Sequence, residues 1–144
     1  MEVQSRVSSS PSALGVRRFI SRVRRSLSRE SRVQSPKSKV ELSVLFCGDA
    51  RMRRLNRVYR GKDRATDVLA FPAGSGALLG DIVVSVPYAS RQARRCGERP
   101  SREIDRLLLH GYLHLLGYDH ETDTGEMDAL EARARLRLGL SDTP

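Results

Sequence analysis

A chain of 144 residues has room for one ordinary domain with a core of its own, and residues 1–144 read as a single domain. At 39% apolar and 30% charged residues the composition argues against a disordered tail, and no apolar run approaches the roughly 20 residues that span a bilayer. The formal charge is +9 and unevenly spread. Residues 1–40 hold ten Lys or Arg against two acids, and residues 51–64 hold seven against Asp63 alone. Residues 119–131 hold six acids and no base. A basic surface of this kind suits a polyanion such as RNA, although a charge run by itself is more often a solvated face.

In chain order, residues 1–7 read as a short first strand with weak alternation. Residues 13–27 form an amphipathic helix: Leu14, Phe19, Ile20, Val23 and Leu27 share one side and the arginines take the other. A Ser/Arg-rich amphipathic start also permits an organelle transit peptide, while a signal peptide lacks its apolar block here. Ser35, Pro36, Lys37 and Ser38 mark a turn or linker. Residues 39–46 alternate Val40, Leu42, Val44 and Phe46, a half-buried strand. Asp49 is the expected N-cap of a helix over residues 50–58, with Met52, Leu55 and Val58 facing inward.

Residues 66–71 and 80–86 are two further β-branched strand runs, separated by a Pro/Gly loop. Pro87 opens a helix that stops at Gly97, and another runs from Pro100 through Leu116 to Gly117. Thr124 is the expected cap of the last helix, which ends at Gly139. The order β–α–β–α–β–β–α–α–α predicts an α+β fold: a small mixed sheet of about four strands packed with about five helices. Cys47 and Cys96 lack a CxxC partner and read as small buried hydrophobes of a reducing compartment, with a disulfide as the alternative.

The chain contains three histidines, His110, His114 and His120, all within eleven residues. Residues four apart stand one above the other on a helix, so His110 and His114 can aim at one ion. Gly117 can end the helix in a left-handed turn that brings His120 back to a third position. Three imidazoles leave a tetrahedral ion one open position, the arrangement of a catalytic site at a helix end. Three neutral ligands leave zinc its full charge, enough to bring the pKa of a bound water to about 7. The spacing also fits the H-E-x-x-H-x-x-G-x-x-H pattern of metzincin proteases, except that Gly111 stands where the general-base glutamate belongs. Peptide hydrolysis by that route lacks its base.

The stretch from His110 to His120, HGYLHLLGYDH, resembles the H-G-x-L-H-L-x-G-Y-D-H signature of the YbeY family. LNRVYRGKDRATDVLAFP over residues 55–72 is similar to that family's L-N-x-x-Y-R-G-K-D-x-x-T-D-V-L-S-F-P block, LLGDIVVS to its G-D-I strand, and GEMDALEARARLRLGL to its acidic last helix. With the basic first helix in place, the resemblance covers essentially the whole chain and argues against a transit peptide. It implies a single-strand-specific, metal-dependent endoribonuclease in rRNA maturation, notably at the 3′ end of small-subunit rRNA, with a role in ribosome quality control. It implies one zinc ion held by His110, His114 and His120, with Arg60 catalytic.

The expected partners are single-stranded rRNA and the ribosome or a small-subunit ribosomal protein, in the cytoplasm and with no membrane. Lys62 and Arg64 are expected to contact phosphates, and Asp67 and Asp81 to be structural. Asp119 either orients a ligand histidine or caps its turn. Ala70 departs from the family's serine, and the loop from Pro72 to Gly80 is short. The alternatives are a non-catalytic, metal-stabilised ribosome-assembly factor and, more remotely, a zincin-like hydrolase.

Overall fold

The structure, a computed structural model, describes residues 1–7, 10–33, 41–74 and 78–142. Its elements are β1 (Glu2–Ser5), α1 (Ala13–Leu27), β2 (Glu41–Cys47), α2 (Asp49–Arg60), β3 (Val68–Pro72), β4 (Leu78–Ser85), α3 (Val86–Arg95), α4 (Pro100–Leu115) and α5 (Glu126–Leu138). The expected order and the α+β class both hold. Val40 and the Ser35–Ser38 turn lie outside the described residues.

The sheet runs β1-β2-β4-β3, with β1, β2 and β4 parallel and β3 antiparallel to β4 at the edge. Alternation sends Leu42, Val44, Phe46, Ile82 and Val84 to one face, where they join α1, α4 and α5 in the main core. Cys47, Leu69 and Val83 point to the other face, where Met52 of α2 covers them. α4 lies across β3 and β4 and also contacts α1, α3 and α5. Its Ile104, Leu108, Leu109, Tyr112 and Leu113 are essentially inaccessible.

Gly80, near the start of β4, is a close approach between helix and sheet. Its φ is +148°, and a Cβ there would collide with the Phe71 carbonyl oxygen and lie 2.7 Å from Leu115 Cδ2. Only glycine tolerates both the dihedral and the contact.

Several local expectations are corrected. Leu14 is exposed and Val16 buried in its place, because at 100° per residue Leu14 sits about 160° around α1 from Val16. Val58 is 67% exposed, and Asn56 takes the inward position four residues after Met52. Successive steps of three drift off the buried stripe, whereas a step of four stays on it. Gly48, not Asp49, is the N-cap of α2, and Asp49 instead accepts from Ser85 Oγ at 2.9 Å and pairs with Arg91 at 2.8 Å. The cap of α5 is Gly125, and the orphan N–H groups of Gly125 and Met127 donate to Asp123 rather than to Thr124. Cys47 is buried as expected, but Cys96 is exposed at the end of α3, and both thiols are free. Among the described residues no helix is long and apolar enough to cross a membrane.

Candidate metal centre

α4 carries His110 and His114 in its last two turns, and its ending supplies the third histidine. Gly117 has φ +99°, its N–H donates to the His114 carbonyl at 3.0 Å, and the Tyr118 N–H reaches back to the Leu113 carbonyl at 3.2 Å. This pair of bonds is a Schellman motif, which closes the helix and reverses the chain. The Asp119 carbonyl then accepts from the Thr122 and Asp123 N–H groups, and one Asp119 carboxylate oxygen accepts from the Glu121 N–H. Asp119 therefore holds the turn that presents His120.

The result is convergence. Ring centroids are 4.7 Å apart for His110 and His114, and 5.5 Å for His120 against each of the others. One donor nitrogen from each lies within 4.8 Å of the others. Nε2 of His110 and Nε2 of His114 are 3.1 Å apart. Two nitrogens bound at about 2.05 Å to one tetrahedral ion would stand about 3.3 Å apart, so the pair already has nearly the required separation. His120 is exposed and the other two half-buried, so the cluster opens to solvent. These three side chains can bind a metal ion, and imidazole donors suit zinc.

The rest of the site tunes these rings. The His114 pKa is lowered, first by burial and then by the neighbouring charge of His110, against the opposing Tyr118 backbone hydrogen bond. That keeps the imidazole neutral, as a ligand must be. Glu131 of α5 lies 3.1 Å from His110 Nδ1. Burial pushes its carboxyl upward, but the hydrogen bond and charge of His110, with Arg135 at 3.5 Å, outweigh this and hold it below the usual value. Sequence reasoning missed Glu131, counting it only within the acidic run. The available signal was an acid among the inward positions Met127, Leu130 and Ala134.

The three histidines line one cavity of about 760 Å³ with Arg60, Lys62, Arg64 and Ala70. Arg60 is the last residue of α2. It donates from an Nη to the Ala70 carbonyl at 2.8 Å, and its guanidinium lies 5.7 Å from the Phe71 ring centre. Asn56 steadies the segment beyond, donating to the Arg64 carbonyl at 2.9 Å while its own carbonyl accepts from the Lys62 N–H. The cationic part of the cavity lining is thus anchored, although its side chains are exposed. Asp67 accepts from the Val68 N–H and from Gln92 at the strand entry, and Asp81 is exposed. At Gly111 a Cβ would meet Ile82 Cγ2 at 3.0 Å. A side chain there would press on the sheet at Ile82, and the position of the protease glutamate carries none.

A small mixed sheet whose longest helix ends in an open three-imidazole cluster, within a cavity that arginines and a lysine also line, defines an α+β protein with a helix end that could hold a metal ion. The family model described as Endoribonuclease YbeY matches residues 6–139, and the chain belongs to that family. Endoribonuclease YbeY of Solibacter usitatus is 56% identical over 97 residues, which cover 67% of this chain and 65% of that protein. The Anaeromyxobacter dehalogenans protein of the same name is 53% identical over 100 residues, covering 67% of this chain and 52% of that one. The chain thus spans between about half and just under two thirds of these curated relatives. A Thermotoga maritima solution structure matches with a TM-score of 0.64 and 24% identity, covering 96% of this chain and 89% of that one, which bears on the fold alone.

Proposed function

We propose that the chain is a metal-dependent endoribonuclease, one domain that cleaves single-stranded rRNA during ribosome maturation and quality control in the cytoplasm. The observation that carries this reading is the convergence of His110, His114 and His120 in a cavity that Arg60 also lines. The two curated relatives described above are both named Endoribonuclease YbeY, which supports RNA as substrate.

His110, His114 and His120 would hold the ion, zinc by the chemistry of the donors. When bound, zinc supplies Lewis-acid polarisation of a phosphoryl oxygen and an acidified water. Arg60 would grip the scissile phosphate and stabilise the negative charge that grows on its oxygens. Among the described residues only one of its nitrogens is committed, to the Ala70 carbonyl, and that tether limits the guanidinium's wandering. Lys62 and Arg64 would contact flanking phosphates without reading sequence. Gly111 offers no base for peptide hydrolysis.

The test incubates single-stranded rRNA with the parent protein and with His114→Ala and Arg60→Ala variants. The expected result is metal-dependent cutting by the parent and a loss of at least about a hundredfold in each variant, the loss typical of a missing catalytic electrostatic group. Bound metal should be lost only from His114→Ala. RNA binding without cutting by a metal-loaded parent would instead favour a ribosome-assembly factor. Equal cutting by all three proteins would contradict the reading.

A further inference from the structure

We infer that Glu131 is a positioning residue for the metal centre, fixing the tautomer of His110 and adding one negative charge without occupying a coordination position. The inference rests on the metal-dependent reading above. Glu131 is 8% exposed and lies on α5, 21 residues along the chain from His110, so only the docking of α5 on α4 brings the two together.

An ionised carboxylate has acceptors only, so the ring nitrogen that faces it must carry the hydrogen. Here that nitrogen is Nδ1, 3.1 Å from Glu131 Oε1. The neutral imidazole has one N–H, so Nε2 is left with a bare lone pair. Nε2 is also the nitrogen that lies 3.1 Å from Nε2 of His114. With Nδ1 engaged, His110 cannot donate across that gap, and the gap is suited to a shared proton or a cation.

Arg135 completes the arrangement. One of its Nη atoms is 3.5 Å from the same Glu131 oxygen, one helical turn further along α5. It compensates a buried carboxylate while the ion is absent, which would otherwise be a costly charge to bury. Three imidazoles bring no charge to a divalent ion. A carboxylate one hydrogen bond away offsets part of that charge, makes the imidazole a better donor and leaves the fourth position open. Asp119, which directly precedes His120, is occupied with its own turn. Only Glu131 among the six acids of residues 119–131 is hydrogen-bonded to a histidine among the described residues.

The test uses the full chain with two readouts, neither of them catalytic. Nitrogen NMR of the metal-free parent, labelled at histidine, reports which ring nitrogen of His110 carries the proton; the expected answer is Nδ1. Zinc titration of the parent and of Glu131→Gln and Glu131→Ala is expected to show weakening of about tenfold for Gln and up to about a hundredfold for Ala. The near-isosteric Gln variant keeps the packing, so it serves if Ala fails to fold. A residue that only supports the fold would lower the unfolding temperature but leave the His110 tautomer alone. A parent His110 protonated at Nε2 overturns the inference, as does a folded Gln variant that binds zinc as tightly as the parent. A parent that binds no zinc at all overturns the metal reading, and the tautomer still tests Glu131.

Discussion

α4 and α2 both deliver residues to the same cavity, and they do so by opposite means. α4 is wedged between the sheet and three other helices, so His110 and His114 ride on a frame fixed by close packing. α2 buries a narrow stripe, essentially Met52 and Asn56, and turns Arg51, Arg53, Arg54 and Arg57 to solvent. Arg60 at its end is held by one hydrogen bond and an aromatic face. A metal site requires atoms placed to a few tenths of an ångström, which packing provides. A polyanion contact requires charge in roughly the right place, which an exposed arginine face provides.

Substitutions that strain one region while sparing the other would sharpen or break this contrast. The largest effect is expected at Gly80, where Ala forces the φ and drives a methyl against the strand carbonyl and Leu115. Gly80→Ala should destabilise the fold by about 2–4 kcal/mol in denaturant unfolding, and should also weaken zinc binding because α4 must shift. Unchanged stability would mean that α4 is not held as tightly as described.

A smaller effect of opposite sign is expected at Asp105, in the first half of α4. Burial raises its carboxyl to about 6, only partly countered by Arg22. The folded pKa lies above the unfolded one, so between about pH 4 and 6 the folded state holds the extra proton. Stability therefore falls as pH rises through that window. Asp105→Asn should stabilise the protein at pH 8 by on the order of 1–2 kcal/mol, allowing for partial exposure of the carboxylate, with the gain vanishing towards pH 4. Zinc affinity should not change. A gain that persists at pH 4 would point to a cause other than the buried charge.

The smallest effect is expected at Arg54, on the exposed face of α2. Arg54 has no ion pair among the described residues, whereas Arg53 is bonded through two nitrogens to Asp63. Arg54→Ala should weaken RNA binding a few-fold at moderate salt, and reduce the slope of log affinity against log salt by about one. The corresponding loss for Arg53→Ala should be smaller, since Asp63 already neutralises it. Equal losses would indicate that RNA displaces the Asp63 pair.

The contrast also explains what the sequence made legible. His110 and His114 could be paired from their spacing alone, and Gly117 foretold the reversal that delivers His120, because helix geometry and glycine dihedrals are local properties. Strand faces were equally local, and Leu42, Val44 and Phe46 point as their alternation requires. The strand order was not legible, since periodicity says which side is buried but not which strand lies beside which. Leu14 and Val58 went astray because apolar character was weighed ahead of angular position. Glu131 stayed hidden because its bond to His110 exists only after α5 docks on α4. Arg60 stood out through family resemblance, since nothing in a surface arginine's local pattern separates it from its neighbours.

Calorimetric zinc titration of the metal-free parent beside His110→Ala, His114→Ala and His120→Ala tests the convergence most directly. One ion per chain is expected, with each substitution weakening binding by more than about a hundredfold, beyond the usual effect of losing a supporting partner. Undiminished binding by the His120→Ala variant, or two equivalent ions per chain, would contradict the account.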